Sequence, residues 1–424
     1  MNRTIGGGTG TRTGEGGAGG GGMRGSAGGG VRGSAGGANL LALRSHNTAL
    51  VLDLLRGAGA GGISRLELAE RTGLTPQAVS KITARLRGEG LAAEAGRRAS
   101  TGGKPRTVLR LVPGAGHALG VHLDRDELRA VLADLDGTVV AERRAPLDLG
   151  AGAETVLEGV ARSAEELAAQ GLGRPVPQGA AARPPGGALA AAPTLLGLGV
   201  ALPGPLDHVR GVLHRVTGFP EWDGYPLRDA LERRLGVPVV VDKDTNAAAL
   251  GLAVGGAGRE EGGAGAGPGS FAYLHLGTGL GAGLVFGGGV HRGARTGAGE
   301  FGHQVVQLDG PPCTCGARGC IEALCLAAVA RGDLAEAARV LGAGAANLAG
   351  LLDIDQVLLG GRTVAAAPEA FVHGVGAVLD ARARREGGHD GAVPVRLAPG
   401  GPRGVAEGAA QLLLAPLFGR GDGG

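Results

Sequence analysis

Apolar positions first fall into helical register near residue 50, where Leu50, Val51, Leu54 and Leu55 mark one face of an amphipathic helix. A second helix follows a cluster of glycines: Ser64, with Glu67 three residues on, forms a capping box for Arg65 to Arg71. Gly73 and Leu74 supply a turn. Thr75-Pro76 then restarts a helix with a cap and an N1 proline, carrying Val79, Ile82, Leu86 and Leu91 on or near its inner face. This is helix-turn-helix spacing. Short strands at Leu91 to Glu94 and Thr107 to Val112 flank a basic tip, Arg97 to Arg106, and predict a wing.

Beyond Gly114 the period changes. Leu119 to Asp124, Leu128 to Asp136 and Thr138 to Arg144 read as a three-stranded meander with a hairpin turn at Asp136-Gly137. A helix covers about Glu154 to Ala169. Strands recur at Leu195 to Ala201, Val237 to Asp242, Phe271 to Leu276 and Val357 to Leu359, separated by helices such as Leu227 to Leu235 and Leu334 to Leu352. The pattern predicts mixed sheets flanked by helices, an α/β class. Three segments are expected: a Gly-rich tail over residues 1–38 too polar to order itself, a helix-turn-helix unit over 39–112, and the α/β unit over 113–424. Low-complexity stretches at about 171–193 and 255–269 read as insertions.

Charge changes the picture more than composition does. With 89 glycines and 9 aromatics in 424 residues, much of the chain is not core. Residues 1–111 carry 16 Arg+Lys against 6 Asp+Glu, whereas the other 313 residues carry 26 against 33. The amino-terminal part is therefore built for an anionic partner, and double-stranded DNA is the expected one. In that reading Gln77, Ser80, Lys81 and either Thr83 or Arg85 face the major groove. Arg87 meets phosphate, and Arg97, Arg98, Lys104 and Arg106 of the wing track phosphates or enter a narrow minor groove. The competing reading is a winged helix that only contacts protein. No basic flank precedes an apolar stretch at the amino terminus, and the longest run free of Asp, Glu, Lys, Arg and His, Pro184 to Leu206, holds five prolines. Neither a signal peptide nor a membrane helix is expected. Few, clustered cysteines suit a reducing compartment, so a cytoplasmic location is expected.

One segment concentrates chemistry. His303 lies ten residues before Cys313, with Cys315 two later and Cys320 five after that, so one imidazole and three thiolates can close on a tetrahedral ion. That ligand set suits a structural zinc. Gly316 and Gly319 permit the tight turn. The alternative is a group of buried cysteines beside an unrelated histidine. Cys325, in an apolar run, reads as an inert core thiol.

These residues resemble the ROK family, which groups sugar-responsive repressors with sugar kinases. From Asn47 to about Leu414 the chain is similar to its members. The zinc stretch is the most specific mark, Gly277 to Gly283 resembles the second phosphate loop, and Val241-Asp-Lys-Asp-Thr-Asn-Ala247 resembles the Asn-Asp-Ala-Asn element. The resemblance implies a winged helix-turn-helix followed by a two-lobed, actin-like (ribonuclease H-like) ATPase fold, and a homodimer. It also implies carbohydrate contacts from Asp244, Glu300, His303 and Glu322, with Asp244 at the position of the kinase base and His303 doubling as zinc ligand. Carboxylates that accept two sugar hydroxyls give directional, charge-assisted hydrogen bonds. Thr217, Gly218 and Trp222 are expected at the pocket edge, with a lobe-surface anchor as the other reading of Trp222.

Departures from the kinase pattern decide the expected activity. Where family kinases carry Asp-x-Gly-Gly-Thr, this chain has His122-Leu123-Asp124-Arg125-Asp126, and Lys243 replaces the asparagine beside the catalytic carboxylate. Two carboxylates at a phosphate cradle are expected to repel ATP. The region between Cys325 and Val357 looks short for the family, which questions the completeness of the nucleotide-side lobe. The expected function is a DNA-binding, sugar-responsive regulator, a repressor, with Asp244 vestigial as a base and a sugar or sugar phosphate as effector. An active ATP-dependent hexose kinase is the alternative, and a ligand-blind DNA-binding protein a third.

Overall fold

The computed structural model describes residues 46–100, 103–172, 194–216, 218–256, 269–387 and 392–420, with the side chains of residues 98–100 and 103–105 left out. The expected Gly-rich tail, most of both low-complexity insertions, Thr217, and the side chains of Arg98 and Lys104 lie outside the described residues.

The amino-terminal unit holds α1 (His46–Gly57), β1 (Ile63–Ser64), α2 (Arg65–Thr72), α3 (Pro76–Gly88), β2 (Ala92–Ser100) and β3 (Gly103–Leu111). The capping box forms as read: the Ser64 hydroxyl accepts from the Glu67 N–H while the Glu67 carboxylate accepts from the Ser64 N–H. Thr75 caps α3 with Pro76 in its first turn. Leu55, Leu68, Val79 and Leu86 are fully buried between the three helices, each stabilising the unit by about 1.5–3 kcal/mol. The wing strands run longer than the sequence pattern indicates, since Arg97 pairs with Thr107 and Arg98 with Arg106 inside the expected tip. Register shifts at Glu94/Gly96 and Arg98/Ser100 let an irregular polar sequence stay paired. β1 adds a third strand, giving the order β1-β3-β2.

The next unit comprises β4 (His117–Leu123), β5 (Glu127–Asp134), β6 (Val139–Pro146), α4 (Ala153–Leu172), β7 (Leu195–Leu202), β8 (Leu206–Asp207), β9 (Val212–Leu213), α5 (Leu227–Leu235), β10 (Val239–Lys243) and α6 (Asp244–Val254). The last comprises β11 (Phe271–Leu276), β12 (Leu280–Phe286), β13 (Gly289–Val290), α7 (Ile321–Ala330), α8 (Leu334–Leu352), β14 (Gln356–Gly360), α9 (Arg362–Ala366), α10 (Pro368–Glu386), β15 (Val395–Leu397) and α11 (Gly404–Leu414).

Among the described residues of the two lobes, two five-stranded sheets result, ordered β10-β7-β4-β5-β6 and β13-β12-β11-β14-β15. Each has an antiparallel meander on one side of its first strand and two parallel strands on the other. The second lobe thus carries the same five strands as the first, and the short stretch before β14 costs it no strand.

Helices α6 and α11 tie the lobes together. A side chain on Gly408 would lie 2.0 Å from the Ala247 carbonyl oxygen, and one on Gly283 2.1 Å from that of Thr245, so bare glycine lets α6 lie tightly against both α11 and β12. This close packing accounts for part of the Gly277 to Gly283 stretch. The apolar core of the winged unit is continuous with Ala118, Val131 and Leu135 of lobe one and with Ala410, Leu414 and Phe418 at the end of α11. Arg420 pairs with Asp53 of α1, and Arg56 stacks over Phe418 at 4.6 Å.

Candidate functional site

The strand ends of both lobes meet at a cleft, and Asp244, Glu300, His303 and Glu322 all line one small pocket there. Asp244 opens α6 directly after β10, while Glu300 and His303 sit on the segment after β13 and Glu322 in the first turn of α7. Local structure fixes each. The Glu322 carboxylate, nearly buried, accepts from the Leu280 N–H at 2.8 Å and so holds the β11–β12 hairpin.

The thiol cluster explains why α7 starts there. Ligand atoms of His303, Cys313, Cys315 and Cys320 all lie within 4.8 Å of one another. Cys315 and Cys320 sulfurs are 3.7 Å apart, as are Cys313 Sγ and His303 Nδ1. Tetrahedral ligands at zinc–sulfur bond lengths of about 2.3 Å stand about 3.8 Å apart, so this donor set fits a metal ion. Gly319, at φ 66°, leaves no room for a side chain, because an added carbon would meet the Gln307 carbonyl oxygen at 1.6 Å. Cys320 is the N-cap of α7, two residues before Glu322. The four residues could therefore hold a metal that anchors the base of the pocket. With Nδ1 beside the thiols, His303 keeps Nε2 for the pocket. Cys325 is buried and bonds to the Ala337 carbonyl, an inert thiol as read.

Lys243, in place of the expected asparagine, is buried. Its ammonium donates to Glu300 Oε1 at 3.0 Å and to the Ala298 carbonyl, pairing across the cleft with one of the pocket carboxylates. Beside it Arg292 meets Asp242 at 2.7 Å, with both side chains buried. Trp222 is not at the pocket: it is 1 % exposed inside lobe one, donating to the Leu149 carbonyl. Its size makes it a core filler under the loop after β9. Gly218 does lie close, since a side chain there would come 3.3 Å from Arg125, which lines the pocket.

The acidic hairpin between β4 and β5 is not bare. Arg362, at the start of α9 in the other lobe, donates to Asp124 at 2.8 Å and to both oxygens of Asp126 at 2.6 and 3.0 Å, and the Thr278 hydroxyl adds a bond to Asp124 at 2.9 Å. Burial works to raise the Asp124 pKa, but the Arg125 N–H, His122, Thr278 and Arg362 outweigh it and hold the carboxyl below its ordinary value. Arg362 does the same to Asp126, chiefly by its hydrogen bond. This corrects the expectation of bare charge repulsion, because an arginine from lobe two already answers both carboxylates. His122 is buried and pushed down to about 4 by desolvation, against the opposing pull of Asp244. Its imidazole is thus neutral near pH 7.

The winged unit places Gln77, Ser80 and Lys81 on one exposed face of α3. Thr83 is excluded from that face: it is buried, its hydroxyl bonding to the Val79 carbonyl and accepting from Arg65. Arg85, exposed, donates to the Thr48 hydroxyl at 2.6 Å. Arg87 pairs with Glu94 at 2.9 Å, whereas Arg97 and Arg106 are exposed. Sequence reasoning missed Arg362, Lys243 as a pairing partner, and Arg292. The Gly360-Gly361-Arg362 run after a strand was a signal for the first, but nothing in the sequence joins position 362 to 124.

Residues 187–329 match the ROK family. The xylose repressor of Bacillus subtilis is 28% identical over 263 residues, 61% of this chain and 61% of its own length. NagC, a DNA-binding transcriptional dual regulator of Escherichia coli K12, is 29% identical over 286 residues, 68% of this chain and 64% of its own. The chain thus spans less than two thirds of either relative. A crystal structure of a ROK family transcriptional regulator, homolog of the E. coli MLC protein, superposes with a TM-score of 0.67 over 89% of this chain and 98% of that one, at 20% identity. It shares the fold, winged unit included. Residues 187–329 thus match the ROK family, and the chain is similar to proteins named as repressors.

Proposed function

We propose that this protein is a sugar-responsive, DNA-binding transcriptional repressor whose kinase-derived cleft senses carbohydrate without transferring phosphate. The observation that carries the reading is the core shared by the winged unit and α11. That helix packs on α6 and on the sheet of lobe one, so a ligand that closes the lobes shifts the seat of the DNA-binding head. Double-stranded DNA meets Gln77, Ser80 and Lys81 in its major groove, with Arg97, Arg98, Lys104 and Arg106 along the backbone. A homodimer would set two α3 helices about one DNA turn, roughly 34 Å, or a multiple of it, apart.

The carbohydrate contacts are Asp244, Glu300, His303 and Glu322, and relatives named for xylose and N-acetylglucosamine repression support that class of effector. His303, Cys313, Cys315 and Cys320 hold a structural zinc, which fixes the loop bearing Glu300 and the turn bearing Glu322. Asp244 is a vestigial base. Phosphoryl transfer depends on positioning and charge neutralisation, and the place of one phosphate cradle is taken by the Arg362 clasp. No described helix is long and apolar enough to cross a membrane, and a cytoplasmic site of action follows from the proposed role.

Footprinting of the full chain on promoter DNA, with and without xylose, glucose and N-acetylglucosamine, tests the reading. Protection that changes with one sugar is expected. Protection insensitive to every sugar, with no calorimetric binding of any, supports a ligand-blind DNA-binding protein instead. Sugar-dependent ADP release that disappears in Asp244→Asn would establish the kinase.

A further inference from the structure

β10 ends in an anion followed by a cation, Asp242 and Lys243, both buried. Each meets its opposite on one short segment of lobe two, residues 291–300, which leads from β13 to the pocket carboxylate Glu300. Arg292 donates to one oxygen of Asp242 at 2.7 Å, while the other oxygen accepts from the Lys243 N–H at 2.8 Å and from Asn246 at 2.9 Å. Lys243 donates to Glu300 Oε1 at 3.0 Å and to the Ala298 carbonyl. The two pairs are thus reciprocal, with the cation on lobe two in one and on lobe one in the other.

Reciprocity fixes register. Run in the opposite direction, the segment would set Arg292 against Lys243 and Glu300 against Asp242, like charge on like. A buried ion pair adds little net stability over apolar packing, but breaking one leaves an uncompensated buried charge, so the arrangement resists separation of the lobes. The Arg362 clasp also crosses between the lobes, yet it is exposed and screened.

Further contacts seat the same segment. Thr296, at φ 54°, holds a conformation that residues other than glycine seldom adopt. Its hydroxyl lies 2.8 Å from His208 Nδ1, just after β8 of lobe one. Gly299 presses on β12, where a side chain would meet the Ala282 carbonyl oxygen at 2.0 Å. Gly204 leaves room for the Lys243 stem, since an added carbon there would come 2.7 Å from Cδ. Glu300 itself is 45% exposed. With Oε1 held by the ammonium, the carboxylate keeps Oε2 for a ligand.

We propose that Lys243 is a positioning residue for the effector: its pairing with Glu300 straps residues 291–300 across the lobes and leaves the second oxygen of that carboxylate to the pocket. Lobe one thereby holds a ligand group of lobe two before any sugar arrives. The consequence for binding rests on the carbohydrate reading of the pocket, whereas the strap does not.

Hydrogen exchange on the full, sugar-free chain reads the strap through two amides: Ala298, which donates to the Arg292 carbonyl, and Ala282, which donates to that of Gly299. Lys243→Met, which keeps a long stem and removes the charge, should speed exchange at both by about tenfold, and the milder Glu300→Gln by about threefold. The double variant should exchange no faster than Lys243→Met, because either change removes the same pair. Additive effects would show that Lys243 acts by packing alone and overturn the proposal, as would unchanged exchange in both single variants. Should Lys243→Met fail to fold, Glu300→Gln decides, and wild-type exchange there overturns the strap. Calorimetry with xylose, glucose and N-acetylglucosamine adds the ligand: any sugar that the wild type binds should bind Lys243→Met about tenfold more weakly, with the same non-additivity against Glu300→Gln. Unchanged affinity in Lys243→Met overturns the positioning role. A wild-type chain that binds none of the three sinks the carbohydrate reading alone, and the exchange cycle still decides the strap.

Discussion

The β4–β5 and β11–β12 hairpins occupy equivalent places in the two sheets and have opposite chemistry. In lobe two the turn is Gly277-Thr278-Gly279, short and bare, and its backbone is held by Glu322 at Leu280. In lobe one it is Asp124-Arg125-Asp126, clasped by Arg362. Both hairpins are thus held by side chains from lobe two, Glu322 and Thr363 on one, Arg362 and Thr278 on the other. The same strand order therefore tolerates a turn that bares N–H groups and one that displays charge. Fold alone does not decide whether the cleft handles phosphate; the turn residues do.

The largest expected effect comes from undoing the support of the glycine hairpin. Cys315→Ser should abolish stoichiometric metal in elemental analysis and cost on the order of 4 kcal/mol in denaturant unfolding, since loss of a structural metal belongs to the severe class. A metal-free wild-type chain as stable as the metallated one would show that Glu322 needs no such anchor.

His122, on the strand leading to the acidic hairpin, sharpens the contrast through pH. Its folded pKa, about 4, lies below the ordinary 6.5, so the unfolded chain takes up a proton first as pH falls. Stability should decline from pH 6.5 towards 4, by an upper limit of about 3 kcal/mol. His122→Asn should flatten that decline in urea titrations at several pH values.

Breaking the clasp has a smaller effect. Arg362 and Asp126 are 45% and 62% exposed, so solvent screens the pair, and Arg362→Ala should cost about 1 kcal/mol or less. The Asp124 and Asp126 pKa values, read by carbon-detected NMR titration, should rise towards the ordinary carboxylate range. Smallest is the contrast within the head. Lys81→Ala should alter sequence preference at one position, whereas Lys104→Ala should weaken binding evenly and lower the salt slope by about 1.

Much of this was legible in the chain. Capping signals at Ser64 and Thr75, the exact span of α8 and α5, and the His303–Cys320 spacing are local, and local patterns survive translation into structure. What the sequence hid was pairing across distance. Asp124 and Arg362 lie on different lobes, and so do Lys243 and Glu300; no periodicity links them. Trp222 was misjudged because an aromatic near a pocket motif and one beneath a loop look alike until burial is known. Thr83 was misjudged because it lies one turn after Val79, on the buried face of a 13-residue helix.

The apolar centre of the winged head includes Ala410, Leu414 and Phe418, residues synthesised more than 290 positions after the head's last strand. On the ribosome α3 therefore exists long before the seat of its unit is finished. A chain halted anywhere before α11 would lack those residues and leave this shared core unfinished.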